Sequence, residues 1–340
     1  MALGRYLATN LNSLNQIFII SNRIEIIQLK IYRTMSMFKT LSTLFAITVC
    51  WACSFAPVSA QKAPQGEKLE KSLLWKVTGK GIKPSYVFGT IHMIGAEDFF
   101  WDKSMDKAFK KTKKLVMEMD MSQQMAMAVQ MMQLAPMKGG ETLKDLISEE
   151  DYQVIEKYFT EEAKSPQAKM TFGMAQNWQP MLLQSLLYME MIDGPVKMYE
   201  MELTTKAKEA DMAFGGLETV ADQMAVFNSI PYKIQAEGLL EMIQNLKKGD
   251  AGENEFAKMV DYYKQQDVDG MLDAMQGDLE EMDNQEEMLD NRNMKWIPQI
   301  IETSKETPTF YAVGAGHLGG EKGVIRLLRK EGFKVTPVKK

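Results

Sequence analysis

The sequence predicts an α/β fold: a central, mostly parallel or mixed sheet flanked by helices, with a large helical insertion between two strand–GxxH units. Three observations predict it. Strand-like runs gather near both ends of the folded region and helical spacing fills the middle. At both ends strands alternate with helices, the pattern that lays helices on the faces of a parallel sheet. The chain's two histidines close the same pattern, Gly89-Thr90-Ile91-His92 and Gly314-Ala315-Gly316-His317, each directly after a strand-like run. Glycine is about 7% of average sequence, so two unrelated histidines would share this spacing in about one case in 200.

Residues 35–60 read as a secretory signal peptide. Lys39 gives a positive start, Leu41 to Ala56 an apolar run too short to favour a span, and Val58-Ser59-Ala60 a small-residue cleavage site near Ala60. Residues 1–34 upstream of a signal are abnormal and read as a start codon assigned too early, with Met35 or Met37 as the true start. A membrane-anchored N-terminus is the alternative. Residues 61–71 are polar and read as a disordered leader; residues 72–340 form the folded domain.

Within that domain, Leu73 to Val77 and Tyr86 to Ile91 read as strands around a Gly81/Pro84 turn. Trp101 to Lys111 has helical spacing with a basic end that suits the helix dipole. Leu115 to Asp120 is a third strand whose acids lie at its end. The signal is then helical to about Ala210, punctuated by Ser148, Pro166 and Pro180. Ala213 to Leu217 reads as a short strand ending at Glu218, and a second helical block runs to about Thr303. Thr309 to Gly314 is a strand, Gly320 to Lys330 a helix, and Phe333 to Val338 the last strand.

Removing residues 1–60 takes away five basic residues and one acid, leaving 35 Lys and Arg against 44 Asp and Glu, a net charge of −9. A nucleic-acid binder needs a basic face, so that class is excluded. No mature segment is apolar enough to span a bilayer, which leaves at most peripheral association with the envelope. Both cysteines, Cys50 and Cys53, fall inside the signal, with Cys53 a poor site for lipid attachment. The mature chain therefore has neither thiol nucleophile nor disulfide.

In open α/β sheets, sites form beyond the carboxyl ends of the strands, where His92, Glu118, Glu218 and His317 all fall. Neutral imidazoles with carboxylates are ligands for divalent metals or an acid/base pair. Glycine lets the backbone turn sharply and approach a ligand closely. The helix expected from Gly320 would offer its N-terminus to an oxyanion. Asp120, on the face of Glu118, is a weaker ligand candidate. Glu218 is either a site acid or a favourable charge in a first helical turn. Arg292 and Asn293 could clamp a carbonyl or carboxylate, or be a solvated helix face.

The methionine cluster from Met117 to Met137 is read mainly as core packing, with a flexible groove for apolar peptide segments as the alternative. Copper binding through thioethers is the remotest reading. The acidic run Asp278 to Asp290 is read as a solvated helical face. No phosphate loop, HExxH or GxSxG is present.

The domain resembles the TraB/GumN/PrgY family, which includes the TIKI proteases. The resemblance rests on Leu74-Trp75-Lys76-Val77, Tyr86 to His92, Leu115 to Asp120, Gly216-Leu217-Glu218-Thr219 with Gln223, Arg292-Asn293, and Tyr311 to Leu318. It implies His92, Glu118 and His317 as metal-site residues, and a divalent metal that is manganese or cobalt rather than zinc. The family pattern departs at Glu200, which stands where many members carry an aspartate. The expectation is a secreted or periplasmic divalent-metal-dependent hydrolase acting on peptides or proteins. The ion would polarise the scissile carbonyl and activate water, Glu218 would be the acid/base, and Arg292 and Asn293 would orient substrate. The alternatives are a non-catalytic peptide- or haem-binding envelope protein, or a structural protein whose site is a relic.

Overall fold

The computed structural model describes residues 68–339 apart from 249–251 and 282–285. The start-codon, signal-peptide and cysteine readings fall on residues outside the described ones. Among the described residues, eight strands form two sheets: β1 (Leu74–Thr78), β2 (Ser85–Thr90), β3 (Ile94–Gly95), β4 (Lys114–Met117), β5 (Val196–Lys197), β6 (Ala213–Gly216), β7 (Thr309–Gly314) and β8 (Lys334–Pro337). The main sheet runs β6-β4-β7-β2-β1-β8, and β3 pairs with β5. The β6–β4, β4–β7 and β7–β2 pairs are parallel, while β1 is antiparallel to both β2 and β8, so the sheet is mixed as expected.

Strand burial follows composition. All six residues of β2 are buried, as are the first five of β7, because helices cover both faces at the sheet centre. One core gathers the sheet residues with Tyr199, Tyr263, Trp296 and Leu328. A second lies within the helical insertion, around Leu143, Ile155, Phe159, Leu183 and Leu239, with Phe159 and Phe172 stacked 4.8 Å apart. The starts of the helices Glu149–Lys157, Pro166–Met174 and Pro180–Glu190 match the expected punctuation. Ser148 and Ser165 cap the first two through their hydroxyls.

Four expectations are corrected. Residues 68–71 of the expected leader are seated on the domain: Leu69 is buried and Lys71 pairs with Asp267. The strand at 115–120 ends at Met117, because Asp120 turns its carboxylate to the Ser122 N–H and starts a tight turn. The last helix is Val324–Lys330, not Gly320–Lys330. Gly320 has φ +74°, outside the helical region, so a loop separates that helix from the second motif. The methionines are not mainly core. Met117 and Met137 are buried, but the helix between them, Gln124–Leu134, buries nothing, and Met125 and Met132 are 79% and 63% exposed.

The two motifs sit on adjacent parallel strands, one residue out of step, with Thr90 opposite Gly314. Neither Gly89 nor Gly314 has positive φ, so close approach rather than a sharp turn selects glycine. A Cβ on Gly89 would lie 2.4 Å from Leu318 Cδ1 and 3.1 Å from the Ala315 backbone. Gly89→Ala is therefore expected to cost about 1–3 kcal/mol in urea unfolding. An unchanged unfolding midpoint would show that the turns are not in contact.

Candidate active site

Four parallel strands place the expected residues along one edge. Glu118 follows β4, Glu218 lies two residues beyond β6, His92 two beyond β2, and His317 closes the turn after β7. The strand that carries Glu118 also fixes Glu218, whose N–H donates to the Glu118 carbonyl at 2.8 Å.

Arg292 stands at the centre. It comes from the helix Asn291–Glu306 and is 12% exposed. Its Nε donates to Glu218 at 2.9 and 3.1 Å, and Nη2 donates to Glu118 Oε2 at 2.7 Å and Glu218 Oε2 at 2.8 Å. Nη1 donates to the Met288 carbonyl at 3.0 Å and lies 3.2 Å from His317 Nε2. A guanidinium has five N–H groups, and these contacts use them all. Arg292 is thus not a solvated helix charge, and it clamps the protein's own carboxylates instead of a substrate's.

The other polar atoms are equally occupied. Glu118 also accepts from the Gly314 N–H at 2.8 Å and the Gln223 amide at 3.3 Å. Glu218 accepts from the Trp296 indole at 3.0 Å, which leaves this expected acid/base no unengaged oxygen. Glu218 also precedes the helix Val220–Ser229, whose cap is Thr219, so the first-turn reading does not apply. Asn293 faces His317 Nδ1 at 2.7 Å through Oδ1 and donates to the Lys322 carbonyl at 3.0 Å. It positions the imidazole and does not reach outward to a substrate. Trp296 covers the His317 ring at 4.4 Å between centroids. Trp296 and Gln223 had no role assigned from sequence, although Gln223 belongs to the family pattern.

His92 is different. Its side chain is 67% exposed, and its Nδ1 lies 3.1 Å from Glu200 Oε1. Thr90, within the same motif, donates to that oxygen at 2.9 Å. Asp120 serves as a cap in the tight turn after β4.

These contacts set the charges. Burial alone would raise the Glu118 carboxyl, but the His317 ring, once protonated in acid, and the Arg292 guanidinium, with the Gly314 N–H, hold it down to about 2. Burial pushes the His317 imidazole down to about 3, so it is neutral at pH 7 and Arg292 supplies the compensating charge. The Glu200 carboxylate on the His92 ring raises the His92 pKa.

His92, Glu118 and His317 do not fit a divalent metal as they stand. His317 Nε2 and Glu118 Oε1 lie 3.8 Å apart, a spacing two ligands of one ion could share. The guanidinium of Arg292, however, already lies against both groups. His92 turns Nδ1 to Glu200 instead. Among the described residues no group of three or more His, Cys, Asp or Glu side chains is placed to hold an ion.

A family model described as the TraB/PrgY/gumN family matches residues 73–337. Relatives include Metalloprotease TIKI1 of Homo sapiens, 23% identical over 327 residues that cover 80% of this chain and 63% of the human protein. Metalloprotease TIKI1 of Danio rerio is 21% identical, covering 89% of this chain and 72% of its own. Metalloprotease TIKI2 of Danio rerio is 21% identical, covering 80% and 62%. The chain thus spans less than two thirds of the human relative's length. No solved structure matches.

Proposed function

This chain belongs to the TraB/PrgY/gumN family, and from that membership we propose that it is a peptide-bond hydrolase acting on peptides or secreted proteins outside the cytoplasm. The relatives' names support the reaction class. The signal-like segment 35–60 supports export. No helix among the described residues is long and apolar enough to cross a membrane.

The observation that carries the reading is the one exposed imidazole at an otherwise saturated polar centre. His92 Nε2 can take a proton from a water attacking the scissile carbonyl and return it to the leaving amine. The ionised Glu118, the Arg292 guanidinium and the neutral His317 form a fixed electrostatic wall, which needs no reorganisation as charge develops. Because Glu200 raises the His92 pKa, the basic ring gains population only on the alkaline side of an ordinary imidazole. Cleavage is therefore expected to rise with pH through a midpoint above about 6.5. A rise centred below that value would remove His92 as the base.

The direct test is a peptide library incubated with the full chain, in parallel with manganese, cobalt, zinc or a chelator, beside His92→Gln. Cleavage in any arm that disappears in the variant supports the reading, and the productive arm identifies the metal requirement. Stoichiometric peptide binding without turnover in every arm would overturn it in favour of a binding protein.

A further inference from the structure

Glu200 had no role assigned from the sequence, and it stands outside the contacts of Arg292. It is the second residue of the helix Tyr199–Glu209, where a carboxylate is favoured by the helix dipole. It is 15% exposed, with Oε1 between the Thr90 hydroxyl at 2.9 Å and His92 Nδ1 at 3.1 Å. Its other oxygen is buried and has no hydrogen-bond partner among the described residues. A carboxylate has no proton to give, so Nδ1 must be the donor. In the neutral ring this leaves the lone pair on Nε2.

The geometry points to Glu200 as the positioning residue of His92: it fixes the ring as its Nδ1–H tautomer and leaves Nε2 as the atom that exchanges protons with substrate and water. The inference deepens the hydrolase reading and rests on it for its catalytic part, while the tautomer itself does not. The backbone explains how the pair is assembled. β3 begins two residues after His92, and β5 ends three before Glu200. Their pairing, Ile94 with Lys197 and Gly95 with Val196, brings the carboxylate to the ring. Thr90 is 2% exposed and supplies a second anchor, so Glu200 is held from two sides. The orphan oxygen fits this role, because a burial cost is tolerated where the carboxylate is needed for orientation.

His317 provides an internal comparison. Its Nδ1 faces Asn293 Oδ1, which makes it the same tautomer, but its Nε2 meets Arg292 Nη1. Both rings therefore present Nε2 lone pairs, one engaged and one exposed.

The chain has two histidines, so a ¹⁵N-histidine spectrum contains only four ring nitrogens. Spectra would be recorded with both rings neutral and assigned with His317→Gln. In the wild type, both rings are expected as Nδ1–H. In Glu200→Leu, the His92 signals alone should move to the Nε2–H form, with His317 unchanged as a folding control. Glu200→Gln retains an oxygen acceptor and should keep the wild-type pattern. A wild-type His92 in the Nε2–H form, or one unaltered by Glu200→Leu, would overturn the proposal whether or not the protein cleaves peptides. In the cleavage assay, Glu200→Leu should lower kcat about 10- to 100-fold with KM little changed. A loss confined to KM would contradict a positioning role.

Discussion

Arg292→Met should cost about 3–5 kcal/mol of folding stability at pH 7, the penalty of removing one partner from a buried ion pair. Methionine nearly keeps the length and removes the charge. It leaves Glu118 and Glu218 ionised, largely buried and next to one another, with the five donors that held them gone. The pH dependence follows from the depressed Glu118 pKa. A carboxyl at about 2 in the folded chain against 4.5 otherwise contributes stability that is fully present above 4.5 and lost as pH falls toward 2. The variant lacks the Arg292 share of this contribution, while His317 and the Gly314 N–H remain beside Glu118. The gap between wild type and variant in urea unfolding should therefore be widest near pH 7 and shrink below pH 4.5. A gap that stays constant from pH 7 to pH 3 would mean that lost packing, not charge, accounts for the penalty.

The two histidines should separate when each is replaced by glutamine. His92→Gln is expected to lower peptide cleavage by about 10²- to 10⁴-fold, the usual worth of a positioned acid or base. Its ring is mostly exposed, so stability should change by no more than about 0.5 kcal/mol. His317→Gln should instead destabilise by about 1–3 kcal/mol. That ring is buried against Trp296, with Asn293 and Arg292 on its two nitrogens. Measuring both properties in both variants checks the division. Equal loss of activity with equal stability would return the two motifs to the symmetric metal-ligand role that their sequences suggest.

That symmetry marks the limit of what the sequence could reveal. Strand ends were legible from alternation and glycine, and parallel pairing brought Glu118, Glu218 and His317 to one edge as expected. Arg292 was visible as a charge next to Asn293 but equally readable as solvated, because helix periodicity does not say what faces the helix. Glu200 was conspicuous as a departure from the family pattern, yet its contact with His92 depends on two strands of two residues each, too short to leave an alternation. The exposed helix Gln124–Leu134 misled for a different reason. An apolar composition normally implies burial, and nothing local shows that its contacts leave Met125 and Met132 exposed.

The order of the main sheet also governs when the site can exist. β7, at residues 309–314, is inserted between β4 and β2, which do not pair with each other. A chain emerging from its N-terminus therefore presents β2 and β4 with their central neighbour still to come. Arg292 and His317 arrive in that same late stretch. Closure of the sheet through pairings 195 and 224 residues apart in sequence (Lys114 with Thr309, Tyr86 with Phe310) is slow by nature, and unpaired strand edges in the meantime invite aggregation. The polar centre, and any activity that rests on it, is thus withheld until residues 309–317 have been made, and the earlier strands need protection while the chain waits.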